Sequence, residues 1–204
     1  MTRTTGKRPA VQGASDPMTD ATIREVLVPI ADGTEEIEAV CIIDVLRRAG
    51  ARVTVASVGK LQITASRGVK IVADCLIESC RKRRFDMIVL PGGMPGAEHL
   101  RDSATLTEML QHHNASGLWS AAICAAPAVV LAHHGLLTDR RATAHPAFAD
   151  RLPNAESIAA RVVVDGRTVT SRGPGTVLEF ALTLVALLFG DAKRQEVAAP
   201  MVVD

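Results

Sequence analysis

The segment at residues 87–136 constrains the fold more than any other part of the chain. Within it, a run of small and apolar residues at 120–123 leads to Cys124, and a helix-compatible run begins at Ala126. This order predicts a strand, a sharp turn and a helix, with the cysteine at the corner. As in a nucleophile elbow, the positions two before and two after the corner residue must be small, and they are Ala122 and Ala126.

A cysteine at such a corner would lie at a helix N-terminus, where the helix dipole favours a thiolate. The competing interpretation of Cys124 is an ordinary buried cysteine, because free cysteine is among the most buried residue types. This segment alone leaves both interpretations open.

The four cysteines of the chain lack the close spacing of a disulfide scaffold and suit a reducing compartment. Cys75 and Cys80 are five residues apart on a helix predicted at residues 74–83, which would supply half a metal site at most. We expect both of them, and Cys41, to pack in the interior.

The composition describes a globular chain, since 48% of its 204 residues are hydrophobic and 22% are charged, with a net charge of +1. That balance excludes a disordered chain and a nucleic-acid binder that relies on bulk charge. One Trp, no Tyr and four Phe also disfavour a stacking platform for bases. No apolar run reaches the ~18 to 20 residues of a membrane span, so no membrane segment is predicted.

Strand and helix patterns alternate along the chain, which predicts an α/β fold with a mostly parallel sheet and helices on both faces. Short strands around a turn at 66–68 predict an appended β-hairpin, and Asp165-Gly166 predicts a second hairpin. Strands are predicted at residues 25–31, 52–58, 61–65, 69–73, 87–90, 120–123, 141–144, 162–164 and 168–171, and helices at 35–49, 74–83, 104–114, 126–134 and from about 177 to 189.

Residues 1–24 are predicted to lie outside the single domain, which we assign to residues 25–204. This leader is rich in Thr, Arg, Lys, Ser, Gly and Pro and has no apolar core of the kind that a secretory signal needs. It is interpreted as a tag, a disordered tail or a weak organelle transit peptide. The expected compartment is the cytoplasm, or the mitochondrion if the leader is native and acts as a transit peptide.

Four features follow predicted strands and so converge on the edge of the sheet where such folds bind ligands. They are the loop before Glu38, the Gly92-Gly93 turn, Cys124 and His145. The glycine turn could cradle a phosphate or present N–H groups to an oxyanion. Because it lacks both G-x-G-x-x-G and G-K-[ST], the oxyanion role is favoured. Helical spacing does not decide which way Glu38 faces.

Other charged groups have simpler interpretations. Glu35 and Glu36 suit the N-terminus of a helix. The basic run RKRR at 81–84 could be a localisation or nucleic-acid signal, but a solvated helix C-terminus explains it better. The histidine pairs at 112–113 and 133–134 are expected on helix surfaces or ends, and no metal site is predicted.

Several motifs together resemble the ThiJ/PfpI superfamily, in the branch of the parkinsonism-associated deglycase and its bacterial relatives, over residues 25–203. The motifs are GTEEIE at 33–38, RRAG at 47–50, SRG at 66–68, LPGG at 90–93, AAICAAP at 121–127, HP at 145–146 and SRGPGT at 171–176.

The resemblance implies a flavodoxin-like three-layer sandwich and a homodimer. It implies Cys124 as nucleophile, Glu38 as a protonated acid hydrogen-bonded to it, and His145 nearby. It also implies the N–H groups of Gly93 and Ala125 as an oxyanion site.

The same resemblance places further residues around the pocket. Gly92 and Pro174 would line the substrate site. Arg48 and Arg67 match arginines near the pocket and the dimer interface, where they could meet an anion.

The activity implied is a cofactor-independent glyoxalase that converts α-oxoaldehydes such as methylglyoxal to hydroxy acids, or a deglycase that repairs early glycation adducts of amines and thiols. Nucleic acid would enter only as a glycated substrate. The alternative is a non-enzymatic redox-sensing or chaperone-like dimer switched by oxidation of Cys124. Small-ligand binding at the glycine turn is a third hypothesis, disfavoured by the missing phosphate motifs.

The chemistry implied sets expectations for two pKa values. A carboxylate beside a thiolate would repel it, so the pKa of Glu38 should be raised. The thiolate of Cys124 should then form well below pH 7.

Two related catalytic triads are incomplete, because Ala125 stands where the intracellular-peptidase branch has histidine and Ala147 where glutamine amidotransferases have glutamate.

Overall fold

A seven-stranded sheet organises the protein, whose computed structural model describes residues 23–154 and 159–203. The strands are β1 (Glu25–Ile30), β2 (Arg52–Ser57), β3 (Gln62–Thr64), β4 (Lys70–Val72), β5 (Cys75–Leu76), β6 (Met87–Leu90), β7 (Trp119–Ile123), β8 (Val162–Asp165) and β9 (Thr168–Ser171). The order in the sheet is β5-β2-β1-β6-β7-β9-β8, and only β8 runs antiparallel to its neighbour. Strands β3 and β4 form the separate antiparallel hairpin that the sequence predicts.

Helices cover both faces of this sheet. Successive side chains of a strand point to opposite faces, and β1 shows the result. Val26 and Val28 pack in one buried cluster with the first and last long helices, and Leu27 packs in the other. The helices are α1 (Glu36–Arg48), α2 (Gly96–Asp102), α3 (Ala104–Ala115), α4 (Val177–Phe189) and α5 (Asp191–Ala198), with a π-helix at Pro127–Ala132. The predicted α/β, flavodoxin-like three-layer sandwich is confirmed.

The helix predicted at residues 74–83 is wrong. The segment forms β5 and a short 3₁₀ helix, Ile77–Cys80, and the exposed basic run begins at the C-cap of that 3₁₀ helix, Arg81. Asp74 explains the change, because its Oδ2 accepts a hydrogen bond from Val55 N–H at 2.8 Å and its own N–H donates to Val55 O at 2.8 Å. These bonds hold the chain on the edge of β2, where an α-helix cannot continue.

The strand predicted at residues 141–144 is also wrong, because side chains take the backbone donors that a ladder would use. Arg141 N–H donates to Asp165 Oδ2 and Thr143 N–H to Thr170 Oγ1, at 2.8 and 2.9 Å. Helices α2 and α5 were not predicted. The helix predicted at residues 126–134 is present but is wound mainly as the π-helix.

The leader prediction falls largely on residues 1–22, which lie outside the described residues. Arg24, which we had placed in the leader, belongs to the fold, since its Nε donates to Leu188 O at 3.1 Å. At the other end, Val197 is buried, whereas Val202 is 87% exposed. Within the described ranges, none of the helices has the length and apolar character that crossing a membrane requires.

Candidate active site

Cys124 occupies the corner between β7 and the π-helix, as the sequence predicts. Its φ is +65°, in the left-handed region that residues other than glycine rarely adopt. Two backbone hydrogen bonds hold it there: Cys124 N–H donates to Ser171 O at 3.0 Å, and His145 N–H donates to Cys124 O at 2.8 Å. Strain of this kind costs about 1–3 kcal/mol and persists where the surroundings enforce it, commonly at functional sites.

Small residues allow the corner to pack closely. Ala122 and Ala126 are completely buried. On the neighbouring loop, a Cβ added to Gly92 would lie 2.6 Å from Cys124 Cβ and 3.0 Å from both Ala125 N and Glu38 Oε2. Only glycine fits between the cysteine and the glutamate, so the glycine turn after β6 is part of the site.

Glu38 points from α1 into the interior and is completely buried. One carboxyl oxygen, Oε2, accepts a hydrogen bond from Gly92 N–H at 2.7 Å. The other, Oε1, is buried and has no hydrogen-bond partner within residues 23–154 and 159–203. A buried carboxyl oxygen without a partner is costly, so Glu38 is suited to chemistry more than to stability. Helical spacing left open which way Glu38 faces, and the structure shows that it faces the interior.

Burial is the main cause that raises the pKa of Glu38 to about 7. The hydrogen bond from Gly92 and the interaction with the Cys124 thiol oppose this rise, and the charge of Glu35 adds to it. The direction agrees with the expectation from sequence. A carboxyl group with this pKa can accept and release a proton near neutral pH.

The pKa of the Cys124 thiol is raised to about 12, first by burial and then by the charge of Glu38. The N–H groups of Gly93 and Ala125 donate to the sulfur and act in the opposite direction. The expectation of a thiolate well below pH 7 is therefore wrong, because it counted the helix N-terminus and omitted both burial and the ionised carboxylate. The two side chains form a pair in which each controls the proton of the other.

The loop that carries Gly93 is fixed against the start of α1. Gly93 has φ +89°, and a Cβ there would collide with backbone atoms of Gly33 and Glu35. Glu35 N–H donates to Gly92 O at 2.9 Å. These contacts aim the Gly93 N–H at the sulfur, whereas the Gly92 N–H serves Glu38.

His145 lies beside the site but its ring serves the backbone. Its Nδ1 accepts a hydrogen bond from Ala147 N–H at 3.2 Å. Across the described residues, no hydrogen bond joins the ring to Cys124, and the link between the two residues is through the main chain. The loop with Gly173 lies against the ring, and Pro174 beside it is exposed.

The structure does not bring the two predicted arginines into contact with the sulfur. Arg48 is exposed on α1, and its Nε donates to Asp44 Oδ2 at 2.6 Å. Arg67 is also exposed, and its backbone N–H donates to Glu36 Oε1 at 2.8 Å. Their place near the pocket and the dimer interface stays a prediction.

Ser66 joins the hairpin to the start of α1, a role that the sequence patterns do not indicate. Its Oγ lies 2.7 Å from a carboxylate oxygen of Glu35 and 2.7 Å from one of Glu36. Its position in the SRG motif was the available signal. The capping interpretation of the two glutamates therefore omitted their main partner, which holds the loop near the site.

A cavity of about 680 Å³ lies elsewhere, between the basic run at 81–84 and α3, and none of the residues above lines it. We place the site at Cys124 because strain, an unpartnered carboxyl oxygen and aligned N–H donors meet there. Over the same described ranges, His, Cys, Asp and Glu side chains form no group of three that could hold a metal ion.

Comparisons with known proteins show which family this chain resembles. The DJ-1/PfpI family model matches residues 24–187. Protein DJ-1 homolog B of Arabidopsis thaliana is 52% identical over 170 residues, which are 83% of this chain and 39% of that protein, so the chain spans less than half of its length. The glutathione-independent glyoxalase DJR-1.2 of Caenorhabditis elegans is 35% identical over 178 residues, 86% of this chain and 94% of that protein. The structure of oxidised Toxoplasma gondii DJ-1 has a TM-score of 0.86 at 50% identity and covers 88% of this chain and 98% of its own.

Proposed function

The chain belongs to the DJ-1/PfpI family, and from that premise we propose that it is a cysteine-dependent, cofactor-independent glyoxalase acting on α-oxoaldehydes such as methylglyoxal. The observation that carries the proposal is the pairing of Cys124, strained at φ +65°, with the buried Glu38 carboxyl. The name of the nematode relative, a glutathione-independent glyoxalase, supports the same reaction class.

In the first step, the sulfur of Cys124 adds to the aldehyde carbon. The thiol proton passes to the Glu38 carboxylate, the carbon–sulfur bond forms, and the carbonyl electrons move to the oxygen. The N–H groups of Gly93 and Ala125, which donate to the sulfur before reaction, stabilise the negative charge. Glu38 then gives that proton to the oxygen, so the step yields a hemithioacetal and leaves the carboxylate free to act as a base again.

In the second step, a proton moves between the two neighbouring carbons of the adduct. Glu38 removes it from the former aldehyde carbon and returns it to the former ketone carbon, while the hydroxyl proton of the adduct passes to the ketone oxygen, which leaves a thioester of the hydroxy acid. A pKa of about 7 lets one carboxyl perform both transfers near neutral pH. Water then hydrolyses the thioester, releasing the hydroxy acid and restoring the thiol.

The same steps extend to early glycation adducts. A hemithioacetal or hemiaminal formed by methylglyoxal on a thiol or amine carries the same pair of neighbouring carbons. Transfer of that group to Cys124 would free the modified amine or thiol and produce the same hydroxy acid. Deglycase activity is therefore part of the proposal and uses the same two side chains.

The assay that tests the proposal is lactate production from methylglyoxal without glutathione. The wild-type protein should turn over, and Cys124→Ser should fall to the background of the buffer because the nucleophile is lost. Cys41→Ser is the matched control, since Cys41 lies on α1 as a free thiol, and its rate should equal that of the wild type. Folded, reduced wild-type protein without turnover would contradict the proposal and favour the non-enzymatic redox sensor.

We also propose that the protein acts as a homodimer. Helix α1 leaves Ile37 and Val40 exposed by 56% and 51%, next to the buried Glu38. Two large apolar side chains on the face of a helix are suited to contact with a second copy. Sedimentation of the full chain at micromolar concentration tests this, and a monomer would contradict it.

A further inference from the structure

Two cysteines outside the site at Cys124 lie in contact with each other. The Sγ atoms of Cys75 and Cys80 are 3.6 Å apart. Both residues are free thiols. Cys75 lies on β5 at the edge of the sheet, and Cys80 ends the short 3₁₀ helix that follows.

The contact exists because this segment is not an α-helix. Residues five apart on an α-helix are separated by about 7.5 Å along its axis and lie on different faces. Here Cys75 is held in register with Ala56 of β2, and the 3₁₀ turn brings the chain back over it. The local fold thus places the two sulfur atoms side by side.

We propose that Cys75 and Cys80 form a reversible dithiol–disulfide pair, a redox site separate from Cys124, with a small disulfide such as oxidised glutathione as the oxidant. The two sulfur atoms must approach by about 1.5 Å to reach the bond length of a disulfide, ~2.05 Å. Because they already touch, a side-chain rotation in a short edge strand supplies most of that movement.

The difference in exposure between Cys75 and Cys80 sets the order in which the two thiols react. Cys75 is partly exposed and Cys80 is completely buried. Cys75 therefore reacts first, forming a mixed disulfide with one glutathione and releasing the other as a thiol. The sulfur of Cys80 then attacks that of Cys75 and releases the second glutathione. Two electrons and two protons pass from the protein to the two glutathione molecules.

The surroundings of Cys80 suit a resolving thiol. Burial and the neighbouring Cys75 raise the pKa of Cys80 to about 11, whereas Arg83 acts in the opposite direction. Arg83 is held in place, since its Nη2 donates to Thr54 Oγ1 at 3.0 Å and its guanidinium lies 5.0 Å from the centre of the Phe85 ring. Burial shields Cys80 from molecules in solvent, so the Cys75 sulfur in contact with it is the partner that it can reach.

Peptide mapping of the full wild-type chain tests the proposal, because trypsin should release both cysteines in one peptide, residues 71–81. After incubation with oxidised glutathione and then alkylation, we expect neither cysteine of this peptide to carry an alkyl group. Its mass should be two hydrogens below that of the reduced, unalkylated peptide. Dithiothreitol should restore both sites. The peptide with Cys41, in the same digest, is an internal control for a thiol without a sulfur partner.

Single variants separate the two steps. In Cys80→Ser, Cys75 should retain one glutathione, and in Cys75→Ser, Cys80 should remain free. Two alkylated cysteines in the wild-type peptide would overturn the proposal. So would a wild-type mixed disulfide that persists on Cys75 while Cys80 is alkylated. Because this readout does not measure turnover, its failure is distinct from a failure of the proposed glyoxalase.

Discussion

Cys124 and the pair Cys75–Cys80 show how neighbours direct the chemistry of sulfur in one protein. Cys124 stands at the carboxyl end of a central strand, with a strained backbone, two N–H donors and a carboxyl partner. The pair lies at the edge of the same sheet, and each sulfur has another sulfur as its nearest partner. A proton carrier beside a thiol suits addition to a carbonyl, whereas a second thiol suits disulfide exchange.

Glu38→Gln should have the largest effect on the chemistry of the Cys124 site. Removing the group that carries the proton should lower methylglyoxal turnover about 10²- to 10⁴-fold. It should leave disulfide formation between Cys75 and Cys80 unchanged, because that site lies elsewhere. Lactate production and peptide mapping on the same sample measure both, and an equal loss in both would contradict the separation of the two sites.

The same variant should change stability in a pH-dependent way. The pKa of Glu38 rises on folding from 4.5 to about 7. The folded state therefore binds this proton more tightly, and the wild type loses stability as pH rises from about 4.5 to 7. Glu38→Gln lacks this loss. The difference in free energy of unfolding between the variant and the wild type should therefore shift in favour of the variant by up to about 3 kcal/mol as pH rises from 5 to 8.

Denaturant titrations at pH 5, 6, 7 and 8 check this prediction. Glu78→Gln, a change at an exposed glutamate, is the control and should follow the wild type at each pH. A constant difference between Glu38→Gln and the wild type would mean that the carboxyl group is not the source of the pH dependence.

Gly92→Ala tests the close packing between Cys124 and Glu38, which distinguishes the Cys124 site from the Cys75–Cys80 pair. The added Cβ would lie 2.6 Å from Cys124 Cβ, so the corner or the glutamate must shift. We expect turnover to fall about 10²-fold, as when catalytic groups move by about 1 Å, and stability to fall by about 1–3 kcal/mol. Gly59→Ala is the control, because no atom lies within 4 Å of its added Cβ. Wild-type kinetics in Gly92→Ala would contradict the packing argument.

His145→Ala should have the smallest effect on turnover. Its ring hydrogen-bonds to Ala147 N–H, and its link to Cys124 is through its own backbone N–H, which alanine keeps. We expect a loss of less than about tenfold in kcat/KM, well below the effect of removing a general base. A loss of 100-fold or more in the steady-state assay would show that the ring acts as the base for Cys124.

The sequence predicted the central strands, α1, α3, α4 and the Cys124 corner, because apolar periodicity and small residues determine those elements locally. It failed at residues 74–83, where the hydrogen bonds between Asp74 and Val55 overrule a helical pattern. The contact of Cys75 with Cys80 could not be predicted for the same reason.

The site was predicted in part. Cys124, Glu38 and the glycine turn are brought together, but the direction of the thiol pKa was wrong, since burial and a neighbouring charge depend on the whole fold. Arg48 pairs with Asp44 on the surface of α1, and its predicted place near the pocket and the dimer interface stays a prediction. Long side chains of this kind are the ones whose direction local sequence patterns leave undetermined.

The pH dependence of Cys124 alkylation by iodoacetamide, followed by mass spectrometry, tests most directly whether Cys124 and Glu38 work as one pair. Glu38 can take the thiol proton once it is ionised, so the rate in the wild type should rise with a midpoint at about pH 7 and then reach a plateau. Glu38→Gln should lose this step. A wild-type rate that rises without a plateau to pH 10, unchanged by Glu38→Gln, would contradict the account.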